Sequence, residues 1–366
     1  MHLFTEHTTL NGICPYFTMF PLQFPLRILQ RHAKPGDTVL DPFCGRGTTN
    51  FAARLVGLGS LGVDSSPVAT AITEAKLSRV CATDILSEAR KILMHTEAAE
   101  IPGGEFWERA YHPDVLIELC RLRTALLESC SSDARIALRG IVLGALHGPL
   151  QKTVQSYFSN QSPRTYAPKP AYATKYWRER GLVPPRVEVL EVITRRARRY
   201  YRTLPDGPGK VRLGDSRVRR VLAPNNDDTR FSWVITSPPY YGMRTYIPDQ
   251  WLRRWFLGGP PRVDYTNENQ IVHSSPEEFA GDLCRVWENA ARACVPDAKM
   301  VVRFGGISDR RVDCLALAKT SLRKSPWRLM TVCGAGSANK GKRQADAFLR
   351  KRNKPLVEFD LWAGLA

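Results

Sequence analysis

One segment near the start of the chain constrains its fold more than any other. A short β-type run ends at Asp41, and the glycine-bearing loop DPFCGRGTTN (41–50) follows it. Four predicted elements surround this loop: a strand at 38–40, a helix at 49–57, a strand at 59–64 and a helix at 68–77. Strand, glycine loop, helix, strand and helix in this order are typical of the opening of a doubly wound parallel sheet. The sequence therefore predicts an α/β fold with a Rossmann-like sheet.

The alternation of strands and helices is interrupted between residues 80 and 205. Apolar residues at three- and four-residue spacing predict helices at 85–94, 115–127, 134–146 and 187–201. Residues 155–177 are polar and rich in tyrosine, with little periodicity, and predict a long functional loop. Strand patterns resume at 211–213, 231–235 and 300–304, with a helix at 309–319 and a closing antiparallel pair at 327–332 and 356–362. The resulting prediction is a mostly parallel sheet domain, 1–79 plus 206–366, split by a largely helical insert, 80–205.

Charge is concentrated in two segments of an otherwise neutral chain. The 366 residues include 53 Lys+Arg and 35 Asp+Glu, a net charge of +18. Residues 151–220 hold 17 Lys+Arg and 5 Asp+Glu, and residues 338–354 hold 7 and 1, so these segments carry the whole excess. Concentrated basic patches favour a nucleic-acid partner, although a solvated face would give the same pattern.

Several classes of protein are disfavoured by what the sequence lacks. There is no apolar run long enough for a transmembrane helix, and the N-terminus lacks the pattern of a signal peptide. The nine cysteines include no CxxC pair, which argues against both a disulfide framework and a zinc site. We therefore expect a cytoplasmic protein with reduced cysteines and no metal.

The glycine loop is a candidate ligand site. Glycines at a strand-to-helix turn let the backbone approach a ligand closely, and a helix N-terminus offers free N–H groups to an anion. The GxGxxG dinucleotide pattern is absent, because Asn50 stands three residues after Gly47, and no P-loop lysine follows. Asp64 ends the next predicted strand, near the place where an acid grips ribose hydroxyls. An adenosine-containing ligand and a purely structural turn both remain open on spacing alone.

The segment TSPPYY (236–241) is more specific. Consecutive prolines cannot continue a strand ladder, so they end the predicted strand in a rigid turn. The Ser237 hydroxyl and the carbonyl after it would present acceptors to an exocyclic amine, and Tyr240 would supply a flat face for stacking. A tight turn with surface tyrosines is the structural alternative.

Together, DPFCGRGTT and TSPPY resemble the DNA amino-methyltransferases, which methylate cytosine N4 or adenine N6 with S-adenosylmethionine. The resemblance extends along most of 11–79 and 206–366 and implies a catalytic motif at Ser237, Pro238, Pro239 and Tyr240. It also implies cofactor-binding roles for Tyr16 or Phe17, Asp41, Phe43, Gly45, Gly47, Thr48, Asp64 and Asp215. The insert departs from the family pattern, since it falls between the ribose acid and Asp215.

The insert is interpreted as a DNA-recognition segment. Its predicted loop contains Arg164, Lys169, Lys175 and Arg178 among tyrosines, and side chains of these types read base edges or phosphates. The following helix carries Arg195, Arg196, Arg198 and Arg199 and is read as a phosphate-binding face, with a solvated face as the alternative. The basic tail 338–354 fits a phosphate contact and an exposed loop equally well.

The resemblance implies a DNA methyltransferase that acts on cytosine N4 in a specific sequence of double-stranded DNA. Such an enzyme would serve as a modification methylase and could have a cognate restriction endonuclease as a partner. Methylation of adenine N6 or of RNA is the nearest alternative, although Ser237 favours cytosine over adenine. A non-catalytic nucleic-acid-binding protein is a rival of another class, and a Rossmann oxidoreductase is third. The oligomeric state is open.

Overall fold

A computed structural model describes most of the chain. The residues described are 8–15, 20–148, 156–159, 170–202, 205–223, 230–242, 250–263, 271, 274–306, 312–337 and 357–365. They divide into two compact units: a sheet unit drawn from Tyr16–Thr73, Pro205–Thr245 and Glu268–Ala366, and a helical unit drawn from Met1–Pro15, Glu74–Leu204 and Tyr246–Asn267. The domain boundaries predicted at 79/80 and 205/206 remain a functional prediction. The compact units differ from these boundaries because the segments Met1–Pro15 and Tyr246–Asn267 group with the helices.

A seven-stranded sheet forms the centre of the sheet unit. Its strands are β1 Thr38–Asp41, β2 Gly59–Asp64, β3 Gly209–Leu213, β4 Phe231–Thr236, β5 Cys294–Gly305, β6 Trp327–Ser337 and β7 Val357–Leu365. They lie in the order β3-β2-β1-β4-β5-β7-β6. The first five are parallel neighbours, whereas β7 pairs antiparallel with both β5 and β6. The predicted doubly wound, mostly parallel sheet with a closing antiparallel hairpin is confirmed.

Central strand β1 shows how the register fixes the site. Leu40 pairs with Leu61 of β2 on one side and Val234 of β4 on the other, and all three side chains are buried. Apolar strands buried on both faces are typical of parallel sheets. In this register the carboxyl ends of β1, β2 and β4 meet at one edge of the sheet. The segments that follow them carry the polar residues singled out by the sequence.

Helices cover the sheet and close its core. In the sheet unit they are Gln23–His32, Thr48–Leu55, Arg219–Leu222, Pro276–Arg292 and Cys314–Arg323, while Pro67–Leu77 runs from this unit into the helical one. Trp287 of the longest helix is buried, donates its indole N–H to the Ser321 hydroxyl and accepts at its carbonyl from the indole of Trp327. A buried indole therefore finds a partner for its polar end.

The helical unit matches the predicted insert in character. It contains a 3₁₀ turn at Thr9–Gly12 and the helices Ala82–His95, Glu105–Ala110, Pro113–Glu128, Asp133–Ala145, Pro170–Glu179, Val189–Tyr200 and Trp251–Phe256. Four of these lie where apolar spacing predicted helices. Over the residues described, no helix is long and apolar enough to cross a membrane.

The prediction of a loop at 155–177 was wrong over its last third. Helix Pro170–Glu179 forms there, with Ala173, Thr174 and Trp177 buried on one face. Proline at the first helical position is a start signal, but only two apolar anchors follow it, which is too few for a clear helical period. Residues 160–169 of the loop and all of the basic tail lie outside the described residues.

Candidate active site

The glycine loop after β1 contains two residues with a left-handed backbone. Gly45 and Gly47 have φ of 51° and 71°, in the region that favours glycine. At Gly47 a Cβ would lie 2.5 Å from the Thr73 side chain, so no larger residue fits. At Gly45 no heavy atom of the described residues lies within 4 Å of the Cβ position. The backbone at Gly45 is therefore open to close approach by a ligand, while Gly47 is tightly packed where helix Thr48–Leu55 begins.

Asp64, at the end of β2, braces this loop. One carboxylate oxygen accepts the Gly45 N–H at 2.9 Å, and the other accepts the Ser66 N–H at 2.8 Å. Burial raises the pKa of Asp64 to about 6, although these two hydrogen bonds oppose the shift. Each carboxylate oxygen has a second lone pair, so the group retains acceptor capacity for hydroxyl groups of a ligand.

Asp41 links the glycine loop to the strand that carries the second motif. Its Oδ1 accepts the Phe43 N–H at 3.1 Å and the Thr236 hydroxyl at 2.6 Å. Its Oδ2 is buried and has no hydrogen-bond partner in the described part of the chain. Burial raises the pKa of Asp41 to about 6. The hydrogen bond from Thr236 opposes this rise, and the nearby Thr49 hydroxyl opposes it more weakly. The Thr49 hydroxyl lies outside hydrogen-bond geometry. A fully buried carboxyl thus connects two neighbouring strand ends.

The segment Ser237–Tyr240 follows β4 directly, and its last residue is held from two sides. The rings of Tyr240 and Phe304 meet edge to face, with centroids 5.4 Å apart. Its hydroxyl donates to Oε1 of Glu358 at 2.8 Å, and Glu358 is buried on β7. Ser237 is partly exposed, whereas Pro238 is buried. The turn therefore places a partly exposed serine three residues before a tyrosine whose ring orientation is fixed.

Asp215, after β3, is already engaged by a neighbouring side chain. The Arg217 guanidinium contacts both of its oxygens, at 2.7–3.1 Å, and also donates to Asp282 at 2.7 Å. Partial burial would raise the pKa of Asp215, but the hydrogen bonds from Arg217 hold it below its ordinary value. Ser216 donates its hydroxyl to the Pro42 carbonyl at 2.7 Å, which ties this loop to the glycine loop.

The remaining predicted cofactor residues have different surroundings. Phe43 packs its ring edge on Trp287, with centroids 6.0 Å apart, and Thr48 is buried at the start of its helix. Tyr16 and Phe17 lie outside the described residues.

Sequence reasoning missed Thr236, Arg217 and Glu358 as partners of site residues. Thr236 directly precedes Ser237, and Arg217 follows Asp215 by two residues, so the sequence showed that both lie close to motif residues. For Glu358 no sequence pattern indicates a contact with Tyr240.

Six of the eight predicted nucleic-acid residues lie on two helices, Pro170–Glu179 and Val189–Tyr200. Lys175 is exposed on helix Pro170–Glu179, whereas Arg178 is held by Glu105, with its Nε 2.9 Å from the carboxylate. Arg164 and Lys169 lie outside the described residues. In the second helix three arginines are exposed: Arg195, Arg198 and Arg199.

Arg196 does not belong to that exposed face. It is buried, donates to the Ser156 carbonyl at 3.1 Å and stacks its guanidinium over the Tyr157 ring. The helix buries Val192, Ile193, Ala197 and Tyr200, and Arg196 falls on the same stripe at helical spacing. The apolar periodicity of this helix could have predicted from the sequence that Arg196 is buried while the other three arginines are exposed.

Comparison with known proteins bears on the first motif region. Residues 5–75 match a family model described as DNA methylase. The type II methyltransferase M.MjaII of Methanocaldococcus jannaschii is 40% identical over 75 residues, which cover 20% of this chain and 14% of that protein. M.BsoBI, a type II methyltransferase of Geobacillus stearothermophilus, is 46% identical over 41 residues, covering 11% and 8%. The predicted resemblance to the DNA amino-methyltransferases is confirmed.

The match has defined limits. The family-model match includes the glycine loop and Asp64 but ends before Ser237–Tyr240. The chain spans 14% or less of the length of these two relatives. Among solved structures, the rRNA methyltransferase aviRa of Streptomyces viridochromogenes is 12% identical with a TM-score of 0.39, covering 99% of this chain and 93% of that one. A likeness at that level bears on neither site nor substrate.

Proposed function

We propose that the protein is a DNA methyltransferase that transfers a methyl group from S-adenosylmethionine to an exocyclic amine, the N4 amine of cytosine. The observation that carries the proposal is the hydrogen bond from Thr236 to Asp41. It joins the glycine loop after β1 to the strand that ends in Ser237–Tyr240. Two motifs that resemble one family in sequence are thereby held at one edge of the sheet, where ligands of open α/β folds bind.

The residues around the glycine loop fit such a cofactor. The open backbone at Gly45 allows close approach, and Asp64 retains lone pairs for ribose hydroxyls. The Oδ2 of Asp41, which has no hydrogen-bond partner among the described residues, is a buried acceptor suited to a cationic or N–H donor of a ligand. Once bound, S-adenosylmethionine would supply an electrophilic methyl group. Tyr16 and Phe17 remain predicted contacts to its methionine portion.

Asp215 fits its implied role near the adenine amine only in part. Arg217 occupies one side of its carboxylate through both oxygens. Acceptor capacity remains on the lone pairs that face away from the guanidinium.

The proposed chemistry at the second motif rests on acceptors. The Ser237 hydroxyl and the adjacent carbonyl would each accept one hydrogen of the target amine, which draws the nitrogen lone pair toward the methyl carbon. Transfer would then be a direct displacement: the amine nitrogen would bond to the methyl carbon as the carbon–sulfur bond breaks, S-adenosylhomocysteine would leave, and the methylated amine would release one proton to water. The rate would depend on positioning and local electrostatics. The amine lies inside the base pair, so the base must leave the duplex first. The orientation of Tyr240, held by Glu358 and Phe304, supports a fixed stacking face for that base.

Cytosine is favoured over adenine by the neutral hydroxyl of Ser237 at the first motif position, where adenine-directed relatives commonly carry Asp or Asn. Adenine N6 is the alternative target within the same chemistry. The exposed arginines Arg195, Arg198 and Arg199 support duplex DNA as the partner. Cytoplasmic location and a cognate endonuclease belong to the proposal as well.

The decisive experiment identifies the product. The full chain is expressed in a host free of DNA methylation, and the DNA is digested to nucleosides and separated by mass spectrometry. N4-methylcytosine is expected; N6-methyladenine would overturn the cytosine assignment, and 5-methylcytosine or no modification would overturn the proposal. Ser237→Ala is the matched variant. It should keep cofactor and DNA affinity but lower the rate by about 10²–10³, the cost of losing a transition-state contact.

A further inference from the structure

The segment Asp215–Arg217, which follows β3, is held by one buried amide. The amide nitrogen of Asn289 donates to the Ser216 carbonyl at 3.1 Å and to the Arg217 carbonyl at 2.9 Å. The amide oxygen of Asn289 accepts from the Arg292 guanidinium at 3.3 Å. Asn289 is only 6% exposed. Because carbonyl oxygens can only accept, these contacts determine which way the amide points.

The helix that carries Asn289 holds the same segment at a second point. Asp282 accepts from the Arg217 guanidinium at 2.7 Å, and it lies seven residues before Asn289 on helix Pro276–Arg292. Seven residues are close to two helical turns, so both side chains lie on one face of the helix. Asp282 and Asn289 are both buried. We call these two residues the helix clamp.

The clamped segment determines where the Asp215 carboxylate lies. Buried Ser216 donates its hydroxyl to the Pro42 carbonyl at 2.7 Å, so the segment is tied to the glycine loop as well. Both oxygens of Asp215 accept from the Arg217 guanidinium. The direction of the remaining lone pairs of Asp215 therefore depends on the backbone position of the two residues that follow it. The helix clamp fixes that backbone.

We propose that Asn289 is a positioning residue of the cofactor site, which holds Asp215 where its carboxylate accepts the adenine amine of S-adenosylmethionine. A carboxylate selects an amine over a carbonyl at the same place, because a carbonyl oxygen supplies no hydrogen for it to accept. Asn289 therefore determines the preference of the site for adenine over hypoxanthine, the deaminated form of adenine. The inference rests on the proposed function, in which Asp215 lies near the adenine amine, and it names the residue that makes this contact selective.

Titration of the full-length protein with two ligands tests the proposal. The ligands are S-adenosylhomocysteine and S-inosylhomocysteine, in which a carbonyl replaces the adenine amine. The wild type should bind the adenosyl form about tenfold more tightly or better. Asn289→Leu keeps the branched outline of the side chain but donates no hydrogen bond. It should weaken binding of the adenosyl form by about 5- to 30-fold and leave the affinity for the inosyl form within about twofold.

Three further variants distinguish positioning from a general loss of structure. Ser321→Ala removes a different buried hydrogen bond of the same helix, the one from the Trp287 indole, and should keep the wild-type preference. Asn289→Ser retains a hydroxyl donor, so its preference should lie between those of the wild type and Asn289→Leu, and it replaces the leucine variant if that variant does not fold. In an Asp215→Ala background, Asn289→Leu should weaken adenosyl binding no further, because both changes remove the same contact.

The proposal is overturned if the wild type does not prefer the adenosyl form, if the Asn289 variants keep the wild-type preference or lose affinity for both ligands equally, or if the losses from Asn289→Leu and Asp215→Ala add. DNA methylation, measured on the same preparations, separates this inference from the proposed function. Methylation with a ligand preference that is independent of Asn289 removes the inference alone. A preference that depends on Asn289, without methylation of DNA, removes the proposed activity alone.

Discussion

Replacing Thr236 by Val tests the hydrogen bond on which the site is built. Valine keeps the branched shape of threonine but cannot donate to Asp41, whose Oδ1 accepts the Thr236 hydroxyl at 2.6 Å. Asp41 and Thr236 are both fully buried, so water cannot replace the lost donor. A hydrogen bond to a charged acceptor contributes about 1.5–3 kcal/mol, and about 1 kcal/mol when the acceptor is neutral. The free energy of unfolding should fall by about 1.5–3 kcal/mol at pH 8.

The loss should depend on pH in a direction that the pKa of Asp41 sets. Burial raises this pKa from 3.8 to about 6, so the contribution of the protonated carboxyl to stability is present below pH 3.8 and is lost as pH rises through about 6. The Thr236 hydrogen bond lowers the pKa. Without it the pKa rises further, so the variant loses more stability than the wild type between pH 5 and pH 8.

Urea unfolding at pH 5 and pH 8 measures both effects, and Thr236→Ser is the control because it keeps the hydroxyl. In thermal unfolding at pH 8, the melting temperature of Thr236→Val should fall by roughly 3–12 °C. A loss below about 0.5 kcal/mol, or a loss equal at both pH values, would refute the assignment of this bond to an ionised buried carboxylate.

Three further predictions concern the cofactor, the DNA contacts and the tyrosine. Asp64→Ala should weaken S-adenosylmethionine binding about tenfold or more in a titration, and wild-type affinity should fall below pH 6 as the Asp64 carboxylate is protonated, a fall that the variant lacks. Changing Arg195, Arg198 and Arg199 to Gln should flatten the slope of log affinity against log salt by about 0.9 per lost contact, and an unchanged slope would leave them a solvated face. Tyr240→Phe should cost about 0.5–1.5 kcal/mol in urea unfolding, since it removes the hydrogen bond that the Tyr240 hydroxyl donates to buried Glu358, and equal stability would contradict that contact.

Local patterns were sufficient to predict the elements that lead into the site. The strands ending at Asp41 and Asp64 were predicted within a residue or two, because turn residues and glycines mark their ends. The glycines at 45 and 47 were predicted to form the turn that follows the first of these strands, and their backbone lies in the left-handed region. These features depend on residues that are close in sequence, which is where propensity and periodicity carry information.

The polar contacts that hold the site together could not be predicted in the same way. Asp41 and Thr236 are 195 residues apart and meet only because β1 and β4 are neighbours in the sheet. Tyr240 and Glu358 are 118 residues apart and depend on β7 entering the sheet between β5 and β6. Such pairs depend on strand order, and no single-sequence pattern specifies a strand order of this length.

Asp215 shows how a motif and its surroundings can give different information. The motif implies a free acceptor near the adenine amine of the cofactor, whereas the structure has Arg217 on both carboxylate oxygens and Asp282 on the other side of the guanidinium. An arginine shared by two carboxylates keeps Asp215 ionised and fixes its plane, which leaves lone pairs in a set direction. The ion pair is therefore compatible with an acceptor role in which Arg217 orients Asp215, and Asp282 in turn holds Arg217 in place.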